Sequence, residues 1–82
     1  MRYARNPQVL WRSTSRGPVL LGPDDETPQR LDGPAAIVWE VLDAPLDPSA
    51  IEDEVAAVAE GLTGVEAAIL ELVDLALVVT LR

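Results

Sequence analysis

Carboxylates dominate the reactive groups of this 82-residue chain, with 14 Asp and Glu against 6 Arg and no Lys, His or Cys. Without imidazole or thiolate there is no ordinary proton shuttle, sulfur nucleophile or zinc-binding set. Catalysis would have to run on carboxylates, Ser, Thr, Tyr or a borrowed cofactor. The run Asp24-Asp25-Glu26 offers oxygen ligands, but a calcium loop needs spaced ligands around a pivotal Gly. A solvated turn is the expectation there. Glu52-Asp53-Glu54 occupies three consecutive helical positions, which point in different directions and do not converge on one ion. Ser13-Thr14-Ser15 has no Lys or His to activate it, and no glycine-rich phosphate loop occurs. The expectation is therefore a binding protein, not an enzyme, with no cofactor and no metal.

The net charge is −8, and it is unevenly distributed. Residues 1–30 hold five Arg and three carboxylates, whereas residues 31–82 hold one Arg and eleven carboxylates. Such a surface repels phosphate backbones and anionic lipid, so neither nucleic acid nor membrane is expected as a partner. Hydrophobic residues make up 49% of the chain, enough for one domain over residues 1–82 and no more. No apolar signal segment follows the opening MRYARNPQV, and the longest apolar run, Leu75 to Val79, is far too short to span a membrane. A soluble cytoplasmic protein, monomeric or weakly dimeric, is the expectation.

The elements that would position a binding site change character at residue 32. Before it, Val9–Thr14 and Val19–Leu21 read as strands, each closed by turn residues: Ser15-Arg16-Gly17-Pro18 and Gly22-Pro23-Asp24-Asp25. Thr27–Leu31 reads as a third strand, confined to a sheet edge because Pro28 has no N–H to donate. Residues 1–8 read as a loose arm. From Asp32 onward the period is helical. Asp32-Gly33-Pro34 starts one helix, with Ile37, Val38, Val41 and Leu42 on a shared face, and Pro45 stops it. Asp47 and Pro48 start a second, with Ile51, Val55, Val58 and Leu62 as its stripe. Thr63 and Glu66 have capping-box spacing ahead of a third, striped by Val65, Ile69, Leu72, Val73 and Ala76. Leu77–Leu81 is β-prone. The order is α+β: a three-stranded antiparallel sheet followed by three helices. Trp39 is expected in the core, while Trp11 is balanced between core and binding surface.

The segment Arg30–Asp43 resembles the PqqD-like family, the leader-peptide-recognition domains of ribosomal peptide maturation. Leu31-Asp32 matches that family's strand end, Ala35-Ala36 its small pair, Ile37–Trp39 its helix face and Leu42-Asp43 its exit. Ala44-Pro45 replaces the family's usual Gly after the exit, and Ala76 stands where its third helix commonly ends in Gly. The resemblance implies a winged-helix-like module that binds the leader of a precursor peptide as an added strand, and hands it to a modifying enzyme or leader peptidase. Lasso-type pathways come first, with coenzyme, radical-enzyme and kinase-like-associated pathways equally open. The implied contact residues are Thr27, Gln29, Arg30 and Leu31 on the third strand and Ile69, Leu72 and Val73 on the third helix. Gln29 and Leu31 are expected to face the leader, leaving Pro28 on the inner side.

Two competing readings share the architecture. Winged helices commonly bind DNA through the third helix, yet Val65–Ala76 carries Glu66, Glu71 and Asp74 and no Arg, Lys, Asn or Gln to meet phosphates and base edges. A structural module dimerising through exposed helix surface is the other.

Overall fold

Alternating apolar residues and a two-residue turn make the first tight unit, a hairpin of Leu10–Thr14 (β2) and Gly17–Leu21 (β3). Thr14 Oγ1 donates to the Gly17 carbonyl at 2.6 Å and accepts from the Arg16 amide, which pins the turn. Gly17 has φ +111, and a Cβ there would meet the Leu31 carbonyl oxygen at 2.7 Å, so only glycine fits. Gln29–Arg30 (β4) pairs on the other side of β3. The computed structural model describes residues 1–82, and this three-stranded sheet runs in the order β2-β3-β4. β4 is shorter than the Thr27–Leu31 strand the sequence suggests. The Gly22 amide is taken by the Asp25 carboxylate at 3.1 Å, so β3 ends at Leu21, opposite Pro28, and offers Thr27 no continuing partner.

Arg2–Arg5 (β1) corrects the expectation of a loose arm. It pairs antiparallel with Val78–Leu81 (β5), Arg2 opposite Leu81 and Arg5 opposite Val78. Tyr3 also exchanges two backbone hydrogen bonds with Leu46, at 2.7 and 3.0 Å. The architecture is thus α+β with three helices and two small antiparallel sheets, not one sheet followed by helices. Nothing local in Arg2–Arg5 signals a strand, because its partner lies at the far end of the chain.

Helices α1 (Gly33–Val41), α2 (Pro48–Val58) and α3 (Val65–Asp74) start at the expected places with different caps. Asp47 accepts from the Ala50 amide at 2.8 Å, as an N-cap should. Asp32 is the N-cap of α1 but makes no capping bond, since Gly33 turns left-handed at φ +58. The capping box at Thr63 and Glu66 does not form, because Gly64 at φ +82 is the N-cap and has no side chain. α3 ends in a Schellman arrangement: the Ala76 amide donates to the Val73 carbonyl and the Leu77 amide to the Leu72 carbonyl. Leu72 and Leu77, both fully buried, supply the apolar contact that accompanies it.

The core collects Leu20 and Leu31 from the sheet, Trp39 and Leu42 from α1, Ile51 and Val55 from α2, and Val65, Ile69 and Leu72 from α3. Val58 leaves the expected α2 stripe and is 66% exposed. No helix is long and apolar enough to cross a membrane.

Candidate peptide-binding groove

The side of α3 turned toward β4 carries small residues at the edge of the core. Val65, Ile69 and Leu72 point inward, and the adjacent row Gly64, Ala67, Ala68 and Glu71, at i, i+3, i+4 and i+7, faces β4. Gly64, Ala67 and Ala68 carry at most a methyl group, so little side-chain bulk fills the space between β4 and α3. An open groove of about 340 Å³ separates them, lined by Gln29, Arg30 and Leu31 on one side and Ala67, Ala68 and Glu71 on the other.

One hydrogen bond sets which backbone groups of β4 face that groove. The Leu31 amide donates to the Pro18 carbonyl of β3 at 2.9 Å. Because backbone groups alternate sides along an antiparallel strand, Gln29 and Leu31 are paired inward. Arg30 therefore presents its N–H and C=O to the open side. Asp32, extended at φ −139 and ψ 172, presents its N–H there too. Pro28 shares this outward parity and contributes a carbonyl without a donor. The expected arrangement is thereby reversed: Pro28 lies on the free edge, and Gln29 and Leu31 use their backbone groups within the sheet.

The suggested contact residues divide accordingly. Gln29, Arg30 and Leu31 line the groove. Thr27 lies outside β4 and outside the groove, in the bend that leads into the strand. None of Ile69, Leu72 and Val73 lines it: Ile69 and Leu72 are buried core residues turned away from β4, and Val73 packs half-buried against the same core. The apolar stripe of α3 is legible in sequence, but it serves the fold. The usable row is the less conspicuous run of Ala and Gly beside it.

Arg30 projects its side chain to the outer face of the sheet, in a cross-strand row with Val19 and Arg12. Leu10, 69% exposed, and the half-buried Val19 and Leu21 share that outer face. Facing the core instead, Trp11 sits opposite Leu20 and meets Trp39 edge-on, with ring centroids 5.7 Å apart.

Arg5 is the functional-looking residue that sequence reasoning missed. Its guanidinium donates to the Trp39 carbonyl at 2.9 and 2.7 Å and to the Glu40 carbonyl at 3.2 Å, capping the C-terminal turn of α1. It also stacks 4.5 Å from the Trp11 ring centroid and 5.1 Å from that of Trp39. Burial pulls its pKa below the ordinary value, while Asp43 and Glu40 oppose the shift. These contacts link β1, α1 and the hairpin, and so hold the sheet against the helices. They are structural bonds with no reacting atom nearby. The buried Trp39 Nε1 has no hydrogen-bond partner, and nothing in the structure explains it.

No group of three or more carboxylates is arranged to hold a metal ion. Comparisons with family models, with curated proteins and with solved structures found no match.

Proposed function

We propose that this chain is a non-catalytic, winged-helix-like recognition module that binds an extended peptide, the leader of a ribosomally made precursor, and presents it to a modifying enzyme or leader peptidase. The observation that carries the reading is the pairing of an open strand edge with a small-residue helix face across one groove. Strand addition needs main-chain donors and acceptors for affinity and pockets for alternate side chains to fix the register. Arg30 and Asp32 supply the former, and Ala67 and Ala68 leave space for the latter. The resemblance over Arg30–Asp43 supports the same edge. A DNA-binding reading has less support, because the exposed positions of α3 are Glu66, Ala67, Leu70, Glu71 and Asp74. A phosphate backbone would be repelled from that surface.

The test is calorimetric titration with synthetic leader peptides taken from short precursor reading frames beside the gene. One leader should bind the parent protein, and Ala67→Arg should weaken it at least tenfold while the melting temperature is nearly unchanged, since Ala67 is exposed. Absence of binding by every such leader, or unaltered binding by Ala67→Arg, overturns the proposal.

A further inference from the structure

The opposite edge of the three-stranded sheet is open as well, and it is the better strand. β2 is five residues long and every one of them is exposed. The Pro18 carbonyl faces β4, so Gly17, Val19 and Leu21 turn their backbone groups toward β2. Their partners Thr14, Arg12 and Leu10 are paired inward by the same alternation. Trp11 and Ser13 are left with both N–H and C=O directed outward. No Pro or bulge interrupts β2, and β3 is its main packing partner. Arg12 is the only charged residue on it, although natural edges are commonly guarded by charge, Pro or a bulge.

We infer that β2 pairs with β2 of a second copy of this chain across a two-fold axis at Trp11, joining two three-stranded sheets into one of six. The inference does not rest on the peptide-binding reading, which uses the other edge.

Charge selects the occupant. Residues 9–30 hold three Arg and three carboxylates, a net charge of zero, while the helices carry most of the acidic excess. Two copies of a −8 chain meet with least repulsion through this neutral layer. Packing outer face on outer face would instead oppose the Arg12–Val19–Arg30 rows of the two copies, setting guanidinium groups against each other.

Charge also selects the register. Within β2 only Trp11 and Ser13 turn both backbone groups outward, so an antiparallel two-fold pairing can centre on Trp11, Arg12 or Ser13. Centring on Arg12 sets two like charges directly opposite, which is unfavourable. Centring on Ser13 sets Trp11 opposite Ser15 in the turn and leaves Leu10 unpaired, whereas centring on Trp11 sets the Ser13 N–H opposite the carbonyl of Val9, whose own N–H is taken by Asn6. Centring on Trp11 places the two indoles opposite each other and sets each Leu10 beside the aliphatic stem of the other copy's Arg12. Trp11, 40% exposed in the single chain, and Leu10 would both lose solvent contact. A five-residue strand pair buries far less than a standard interface of about 1,600 Å², so the dimer is weak, with a dissociation constant on the order of 0.1 mM.

The test is sedimentation equilibrium from about 10 μM to about 1 mM, bracketing that constant. The parent should pass from monomer to dimer, with a concentration-dependent blue shift in tryptophan emission from Trp11, since Trp39 is already fully buried. Ser13→Pro deletes an outward donor without touching the β2–β3 ladder and should hold the protein monomeric with an unchanged circular dichroism spectrum. Thr80→Pro probes the outer edge of β5 in the same way and should leave the dimer intact. With no native Cys, single-cysteine variants report the register. On oxidation the Trp11→Cys variant should crosslink, and the Ser13→Cys variant should not. A parent that stays monomeric throughout, a dimer that survives Ser13→Pro, or one lost with Thr80→Pro overturns the inference. Crosslinking of the Ser13→Cys variant and not of the Trp11→Cys variant overturns the register.

Discussion

The two edges of the β2-β3-β4 sheet divide between them the features that strand addition uses. β4 has two residues and a Pro on its open side, but a groove and a helix stand beside it. β2 has five residues and uninterrupted donors, yet no helix flanks its outer side. Main-chain pairing alone is indifferent to sequence, so an edge without a neighbouring pocket suits a fixed partner such as an identical strand. Side-chain pockets provide discrimination, so the short edge beside α3 suits a peptide chosen by sequence. An edge is thus defined as much by what flanks it as by its free hydrogen bonds.

The contrast requires the two faces of α3 to be separable, and the largest expected effect tests that. Leu72→Asp buries a carboxylate in a site with no exposure and should cost more than about 3 kcal/mol, unfolding so small a domain. Lost helical circular dichroism is the expected result. A folded Leu72→Asp that merely fails to bind peptide would move the groove to the inner face of α3.

Next in size is Arg5→Met, which keeps an unbranched apolar stem but removes three hydrogen bonds to the end of α1 and the stacking between two tryptophans. Destabilisation by about 2 kcal/mol is expected from charged hydrogen bonds of this kind, read as a shifted midpoint in urea. The hairpin layer would then be less firmly held, and both edges should lose their partners together. A midpoint within error of the parent would show that Arg5 does not link the layers.

Pro28→Ala sharpens the contrast itself. Because position 28 faces outward, the variant restores a donor to the short edge. Peptide affinity should rise between about twofold and tenfold, the worth of one backbone hydrogen bond, with no change in self-association. An unchanged affinity in calorimetry would mean that the bound strand does not extend past Arg30.

The smallest effect concerns the joint that closes the other sheet. Ala76 adopts φ +59 between α3 and β5, a conformation in which a Cβ is unfavourable and Gly is not. Part of the gain from Ala76→Gly is offset by the greater freedom of Gly in the unfolded chain. A net stabilisation of about 0.5 kcal/mol, a rise of about 2–4 °C in melting temperature, is expected by scanning calorimetry. A fall would mean that the Ala methyl packs favourably.

Elements with local signals were legible from sequence alone. The hairpin β2–β3, the Asp47 cap of α2, the approximate starts of α1 and α3, the Gly22–Asp25 turn and the burial of Trp39 follow from turn chemistry and apolar period. The absence of His and Cys removes imidazole and thiolate from the groups these 82 residues offer. Three features were decided only by tertiary contacts. β1 becomes a strand because β5 and Leu46 accept its hydrogen bonds, and neither is near it in the chain. The outward parity of Pro28 follows from the bond between Leu31 and Pro18, since a run of five residues has the same composition in either register. Gly64, Ala67 and Glu71 are left to face the groove, with Ala68 at the core's edge, because the stronger apolar stripe of Val65, Ile69 and Leu72 is drawn into the core. Sequence patterns report the energy of burial, which dominates folding, whereas a binding surface is what burial leaves over.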